Sequence, residues 1–188
     1  NRAPGAAHNI AYGNRNIWVI GTNVEGGGYG IYKWTGRTWV KIPGSAIRAA
    51  VDRRGNGWVV NKFGGIYGYT GSRWVHVGGK AWDIDVGTSN KLWVIGANVE
   101  GGGYGIYRWD GRWTKIPGSA VRIAVDGYGN GWVVNKFRRI FRYWGNRWWV
   151  LNGLATDISA HDGNVGVVGT DRAIWRREHV RSTWTKTN

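Results

Sequence analysis

The chain has no cysteine, no methionine and only three prolines in 188 residues. Without cysteine there is no disulfide framework, no thiolate-ligated metal centre and no cysteine nucleophile. A chain that begins at Asn1 and lacks methionine is expected to be a processed or trimmed product, which leaves room for a removed leader. No charged-then-apolar segment opens it, and no apolar run is long enough to span a bilayer. Membrane insertion is therefore not expected. There is no Asn-x-Ser/Thr sequon, so N-glycosylation is not indicated. Acidic residues are scarce, eleven against twenty-six Lys and Arg, which leaves a net charge of +15. A field of that sign draws polyanions such as nucleic acid, anionic lipid, lipopolysaccharide phosphates or acidic polysaccharide. The same charge would also keep a sticky, aromatic surface in solution.

Aromatic residues and glycine are abundant instead. Fifteen Trp, nine Tyr and three Phe supply bulky material for a core. Thirty-three Gly are spread along the chain, as many tight turns would require. No segment shows a capped pattern of period 3.6, so helices are not expected.

The organising element is the stretch GNGWVVNKF, which occurs at Gly55–Phe63 and again at Gly129–Phe137. Weaker copies are RNIWVIGTN at Arg15–Asn23 and NKLWVIGAN at Asn90–Asn98. A fifth, GNVGVVGTD at Gly163–Asp171, has Gly166 where the others have Trp. The equivalent positions Trp18, Trp58, Trp93, Trp132 and Gly166 are 40, 35, 39 and 34 residues apart. Before each copy lies an alternating apolar stretch such as AIRAAVD at Ala46–Asp52, with the period of two that marks a strand. After each comes a third strand such as GIYKW at Gly30–Trp34, then a Gly-containing hairpin turn and a fourth strand starting at a Trp. Pro-Gly pairs at Pro43-Gly44 and Pro117-Gly118, echoed by Pro4-Gly5, read as turns between units. Units one and three also carry an insertion, NVEGGGYG, identical at Asn23–Gly30 and Asn98–Gly105, which reads as a Gly-rich surface loop.

Five four-stranded units predict an all-β fold, a five-bladed β-propeller of four-stranded antiparallel blades. The whole chain, 1–188, forms this one domain, with blades at about 6–45, 46–79, 80–119, 120–153 and 154–188. The last unit ends within a fourth strand and the first begins with the Pro-Gly end that strand lacks. The two termini are therefore expected to meet at one seam.

These residues resemble the tectonin repeats of the tectonin/tachylectin-type lectins, fish-egg lectins among them. The resemblance rests on the recurring Trp, the Pro-Gly pair and the GWVVN strand, and it covers essentially the whole chain. It implies a secreted or extracellular propeller that binds sugars on microbial or cell surfaces at several sites. The chain departs from the family in three ways. It lacks the cysteines of some animal members, it has five units where six are common, and Gly166 replaces the fifth Trp.

Catalysis is not expected. Most carboxylates recur at equivalent places, Glu25 with Glu100, Asp52 with Asp126 and Asp83 with Asp157. A glycosidase needs one asymmetric pair roughly 5 to 9.5 Å apart. His8, His76, His161 and His179 are scattered, so neither a metal box nor a triad is indicated, and no cofactor is expected.

Sugar binding needs a flat aromatic for the apolar face of a pyranose and paired donors and acceptors for its hydroxyls. Trp58 with Asn61, and Trp132 with Asn135, bring these types together on the second strand. Inter-blade packing would demand the same Trp, and turns the same Asn. The insertions offer Asn23, Glu25 and Tyr29, repeated as Asn98, Glu100 and Tyr104. Their identity is equally explained by a recent duplication of a two-unit block. Arg48 and Arg122 could reach hydroxyls or an acidic sugar, or pair with a carboxylate. Arg53-Arg54, Arg138-Arg139 and the group Arg172, Arg176, Arg177, Arg181 and Lys186 break the repeat and could form a polyanion patch. The expected function is multivalent recognition of surface glycans, neutral or anionic, with lipopolysaccharide the favoured anionic target. A sugar-independent interaction scaffold and a polyanion or nucleic-acid binder are the alternatives. Nucleic acid is disfavoured because no binding motif is present. The oligomeric state is open.

Overall fold

A computed structural model describes residues 4–178 and 183–187, with only the backbone of Glu178. Among these residues every regular element is a β-strand, and the strands pair antiparallel. The chain divides into two compact units, Asn1–Ile84 and Asp85–Asn188.

The first unit holds two four-stranded sheets. One is formed by β1 (Ala7–Gly13), β2 (Asn16–Glu25), β3 (Gly28–Trp34) and β4 (Trp39–Ala46). The other is formed by β5 (Arg48–Val51), β6 (Gly57–Val60), β7 (Ile66–Tyr69) and β8 (Trp74–His76). In both, spatial order follows chain order, as short hairpin turns dictate. The boundary between units falls inside β9 (Ala81–Val86).

The second unit contains β10 (Leu92–Glu100), β11 (Gly103–Trp109) and β12 (Trp113–Ala120), which continue the sheet edged by β9. Seven further strands share one sheet: β13 (Arg122–Val125), β14 (Gly131–Val134), β15 (Arg139–Trp144), β16 (Arg147–His161), β17 (Asn164–Gly169), β18 (Ile174–Glu178) and β19 (Thr185–Lys186). The fusion is due to β16. Its first half pairs with β15 up to Leu154, and its second half pairs with β17 from Ala155. At the corresponding places β4 and β5 are separated by Ile47, and β12 and β13 by Val121.

Two local expectations are corrected. Pro43-Gly44 and Pro117-Gly118 are bulges within the outer strands rather than turns, while Pro4-Gly5 forms a bend ahead of β1. The register jumps from Ile31↔Ile42 to Gly30↔Ser45, leaving Pro43 and Gly44 without ladder partners. Pro117-Gly118 and Asn152-Gly153 sit in the same kind of jump. Proline has no N–H to donate, so an outer strand at a bulge is where a sheet tolerates it. The glycine beside it takes φ +104° at Gly44 and +107° at Gly118. The inserted segment is likewise no loop. It extends β2 and β3 into a hairpin closed by Gly26-Gly27, with Glu25 opposite Gly28. The twin hairpin is closed by Gly101-Gly102.

Trp18 and Trp93 anchor matching cores. Trp18 packs with Ile20, Ile31, Val51 and Val59, and Trp93 with Ile95, Ile106, Val125 and Val133. Each meets a Tyr and a Trp of the following sheet edge-on. Trp18 lies 5.7 Å from Tyr69 and 6.3 Å from Trp74, and Trp93 lies 5.6 Å from Tyr143 and 6.5 Å from Trp148. Such T-shaped contacts add about 0.5–1.5 kcal/mol beyond area burial. A third cluster, around Trp132, Val134, Ile140 and Ile158, completes the second unit.

Candidate functional site

The bulges create a recurring latch. At Pro43 the ladder is interrupted, and the carbonyl accepts the indole N–H of Trp74 at 2.6 Å. Trp39 donates to the Pro4 carbonyl at 2.8 Å, and Trp148 makes the same short bond to Pro117. Trp39 and Trp74 open outer strands, Trp148 is the second residue of β16, and all three are half-buried. The nitrogen edge is fixed while part of the ring stays accessible.

Clefts open beside these indoles. One, of about 230 Å³, lies between the two sheets of the first unit and is lined by Gly44, Val59, Asn61, Tyr67 and Trp74. A second, of about 460 Å³, is lined by Gly5, Gly21, Asn23, Tyr32 and Trp39. A third, in the second unit, has about 370 Å³ and is lined by Gly153, Thr170, Asp171, Trp175 and Trp184. All three share one plan: a fourth-strand Trp, a glycine at positive φ (Gly44, Gly5 or Gly153), a third-strand aromatic and a side chain with a carbonyl oxygen. Tyr32, Trp39, Tyr67, Trp74 and Asp171 do not stand out as site residues in the sequence, whereas Trp175 and Trp184 stand out there only as aromatics beside the C-terminal basic group.

The hairpin residues form a polar relay. Tyr32 Oη donates to Asn23 Oδ1 at 3.0 Å, and Asn23 Nδ2 donates to Glu25 Oε1 at 2.8 Å. Glu25 pairs with Lys41 at 2.5 Å. Tyr107, Asn98, Glu100 and Lys115 repeat it at 3.1, 2.9 and 2.5 Å. Hydrogen bonding from Glu25 and Glu100 raises the Lys41 and Lys115 pKa above the ordinary value. Tyr29 and Tyr104, by contrast, turn inward and pack against the Trp18 and Trp93 cores.

Asn61 and Asn135 cap turns. Asn61 Oδ1 accepts the N–H groups of Phe63 and Gly65, and Asn135 Oδ1 those of Phe137 and Arg139. Asn61 also lines the smallest cleft, whereas Asn135 is 9% exposed. Trp58 and Trp132 each direct an indole N–H at a buried carboxylate, Asp52 at 3.4 Å and Asp126 at 3.0 Å. Trp58 is half-buried and Trp132 is 1% exposed. Around Asp126 the N–H groups of Tyr128 and Asn130 complete the shell, and Arg142, buried and stacked over Trp132 at 5.0 Å, reaches it at 3.5 Å. Gly68 stands opposite Trp58 where Arg142 stands opposite Trp132.

Arg48 and Arg122 pair with Asp83 and Asp157, each at 3.4 Å. Among the basic runs, Arg53, Arg54, Arg138, Arg139, Arg172 and Arg176 are exposed and Arg177 is half-buried. Burial, and then the charge of Arg142, lowers the Arg177 pKa. Arg181 and His179 lie outside the described residues.

These repeats define a β-propeller protein, and a family model, the Tectonin domain, matches residues 6–188. The chain belongs to the tectonin family. No curated protein matches it as a sequence relative. Among solved structures it is similar to YCF48 bound to D1 peptide, at 16% identity and a TM-score of 0.63, over 96% of this chain and 66% of that one. It is similar to human WBSCR16 at 10% identity and a TM-score of 0.65, over 94% of this chain and 63% of that one. It is also similar to the GH74 enzyme of Niastella koreensis, at 17% identity and a TM-score of 0.67, over 96% of this chain and 31% of that one. The chain thus spans less than two thirds of each of these structures, and at such identities the likeness concerns the fold.

Proposed function

We propose that the chain is a five-bladed, non-catalytic lectin of the tectonin type that acts outside the cell and binds surface glycans at several clefts. The observation that carries this reading is the threefold recurrence of one cleft plan around Trp39, Trp74 and Trp184. At Trp39 and Trp74 a pinned indole, and at Trp184 an unlatched one, presents the flat apolar surface that the C–H face of a pyranose needs. In the smallest cleft Asn61 Oδ1 is engaged by two backbone N–H groups, which leaves Nδ2 as a donor for a sugar hydroxyl. In the largest, Tyr32 and Asn23 are already ordered by their relay, so a ligand meets preorganised partners. Each site is shallow and weak by itself, and a dense glycan surface supplies avidity. The charge of +15 adds affinity for anionic glycans such as lipopolysaccharide.

Retention on glycan-coated beads tests the proposal. Elution by free monosaccharide at constant salt is expected, with little loss between low and moderate salt. Retention that no sugar competes and that salt abolishes would make charge the mechanism and sink the lectin reading. A second reading, a sugar-independent interaction scaffold, is favoured by the peptide bound to the YCF48 neighbour. It predicts retention on protein-coated beads that neither sugar nor moderate salt disturbs.

A further inference from the structure

The cleft at Trp184 differs in charge from its counterpart at Trp39. We propose that it is a distinct subsite, selective for donor-presenting pyranoses, hexosamines with a free ammonium above all, and closed to acidic sugars. This rests on the carbohydrate reading above and extends it to specificity.

The two clefts match position by position. Gly21-Thr22-Asn23 with Tyr32 and Trp39 corresponds to Gly169-Thr170-Asp171 with Trp175 and Trp184. The correspondence extends to hydrogen bonds. Tyr32 donates its hydroxyl to Asn23 Oδ1, and Trp175 donates its indole N–H to Asp171 Oδ1 at 3.3 Å. A carboxamide in one cleft is a carboxylate in the other.

The change alters what the cleft can offer. Asn23 is consumed by its neighbours, since its Nδ2 is committed to Glu25. Asp171 Oδ1 accepts from Ala173 N–H at 3.0 Å and from Trp175. These bonds fix the carboxylate and orient the Trp175 indole, and no described residue donates to Oδ2. An ionised carboxylate only accepts, so it demands hydroxyl or ammonium donors from a ligand. It stays ionised: the Ala173 N–H foremost, then the Trp175 indole, and to a smaller extent the charge of Lys186, hold it below the ordinary aspartate range. Among the described residues, Asp171 is the one ionisable residue lining the cleft. Lys186, 5.9 Å from the centroid of the Trp175 ring, is exposed and outside the lining.

The aromatic walls fit the same ligand. Two indoles replace a Tyr and a Trp, and indole is the strongest cation–π surface among side chains. Trp184 is also seated differently. A β-carbon on Gly44 would stand 3.1 Å from Trp74 Nε1, whereas one on Gly153 would stand 4.0 Å from Trp184 Cδ1. The Trp184 Nε1 is buried and has no hydrogen-bond partner among the described residues. The indole stands off its bulge, which bears Asn152 in place of proline, and the cleft is not closed by the latch seen elsewhere.

Indole N–H resonances of the intact, ¹⁵N-tryptophan-labelled chain test the proposal. Trp175, Trp184 and Trp74 are assigned by single Trp→Phe variants, and glucosamine, glucose and glucuronate are titrated at fixed ionic strength. Glucosamine is expected to shift Trp175 and Trp184 at the lowest concentration, glucose at a higher one, and glucuronate not at all. Asp171→Asn keeps the Oδ1 acceptor and therefore the turn, which a melting curve verifies. It is expected to weaken glucosamine about tenfold or more, as loss of a charge-assisted hydrogen bond implies, and to admit glucuronate. Lys186→Ala, which removes a cation that acts on Asp171 and lies over the Trp175 ring, should not weaken glucosamine binding. Glucuronate shifting Trp175 as readily as glucosamine, or Asp171→Asn leaving glucosamine unaffected, overturns the proposal. If sugars shift Trp74 but never Trp175, the subsite fails while the lectin reading stands. If no sugar shifts any indole, both fall.

Discussion

The ring of Trp18 lies over Gly57 so closely that a β-carbon on Gly57 would stand 2.6 Å from Cζ3. Gly57 is the second glycine of GNGW and Trp18 is the tryptophan of the preceding repeat. The motif therefore contains both halves of a stacking contact, each half serving a different neighbour. Gly131 meets Trp93 in the same way, at 3.0 Å.

Gly57→Ala is expected to destabilise the chain by about 1–3 kcal/mol, the usual cost of overpacking a filled core. Trp18 has no room to retreat: it is 1% exposed, bonded to the Gly55 carbonyl and wedged against Tyr69 and Trp74. Gly57 is not among the positive-φ glycines, so the effect is steric. Gly26→Ala, with nothing within 4 Å of its added carbon and no positive φ, is the control. Urea midpoints measure both, and coincident midpoints for Gly57→Ala and wild type would refute the contact.

Asp126 and Asp52 occupy the same place in their repeats but carry different loads. Both accept N–H groups from their own turn and an indole N–H. Only Asp126 also faces a buried arginine, Arg142. Asp126→Ala strands that charge and is expected to cost about 3–5 kcal/mol. Asp52→Ala should cost about 1–3 kcal/mol, the penalty for orphaned buried donors. Adding Arg142→Gly, which reproduces the Gly68 arrangement, should narrow the difference; equal costs for the two single variants would show that Arg142 adds nothing.

The sequence exposed the all-β repeat because strand alternation and the spacing of the Trp positions are local, periodic signals. It misplaced what depends on register. Pro43-Gly44 looks like a turn because its composition is that of a turn, and only the partner strand reveals a bulge. The inserted NVEGGGYG looks like a loop because four glycines hide the pairing of Glu25 with Gly28. Asn23 and Asn61 were visible as polar positions next to strands. The aromatics that accompany them, Tyr32, Tyr67 and Trp74, look like ordinary strand residues in the sequence, because a cleft is a relation between strands. The repeat copies already align GTN at Gly21–Asn23 with GTD at Gly169–Asp171, but only the cleft shows that this exchange of Asn for Asp alters a site.

Asn98 and Tyr104 should separate on mutation. Asn98 is exposed and its bonds to Tyr107 and Glu100 lie at the surface. Asn98→Ala is expected to change stability by less than about 1 kcal/mol and to weaken glycan-bead retention. Tyr104 packs against the Trp93 core. Tyr104→Ala should cost about 2–4 kcal/mol, so any loss of binding there must be read against its melting curve. Undiminished retention by Asn98→Ala would remove the hairpin from the binding surface.

Asp110 links acidity to the fold of the second unit. It accepts from Lys91 at 2.8 Å and from Arg108 at 2.7 Å. The Lys91 hydrogen bond foremost, then Arg108, holds its pKa below the ordinary 3.8. A carboxylate depressed in the folded state contributes stability that is fully present above its unfolded value and lost as pH falls through its folded value. The contribution is therefore intact at pH 5 and fades below about pH 3.9. Because the triad is exposed, its worth is that of a surface pair, about 0.2–1 kcal/mol. Asp110→Asn is expected to lower the melting temperature at pH 7 and at pH 5 by the same small amount. The difference from wild type should then vanish as both are titrated below the folded pKa. Replacing Lys91 by Met should move the Asp110 carboxyl ¹³C titration midpoint back up toward 3.8. An unmoved midpoint would assign the depression to Arg108 instead.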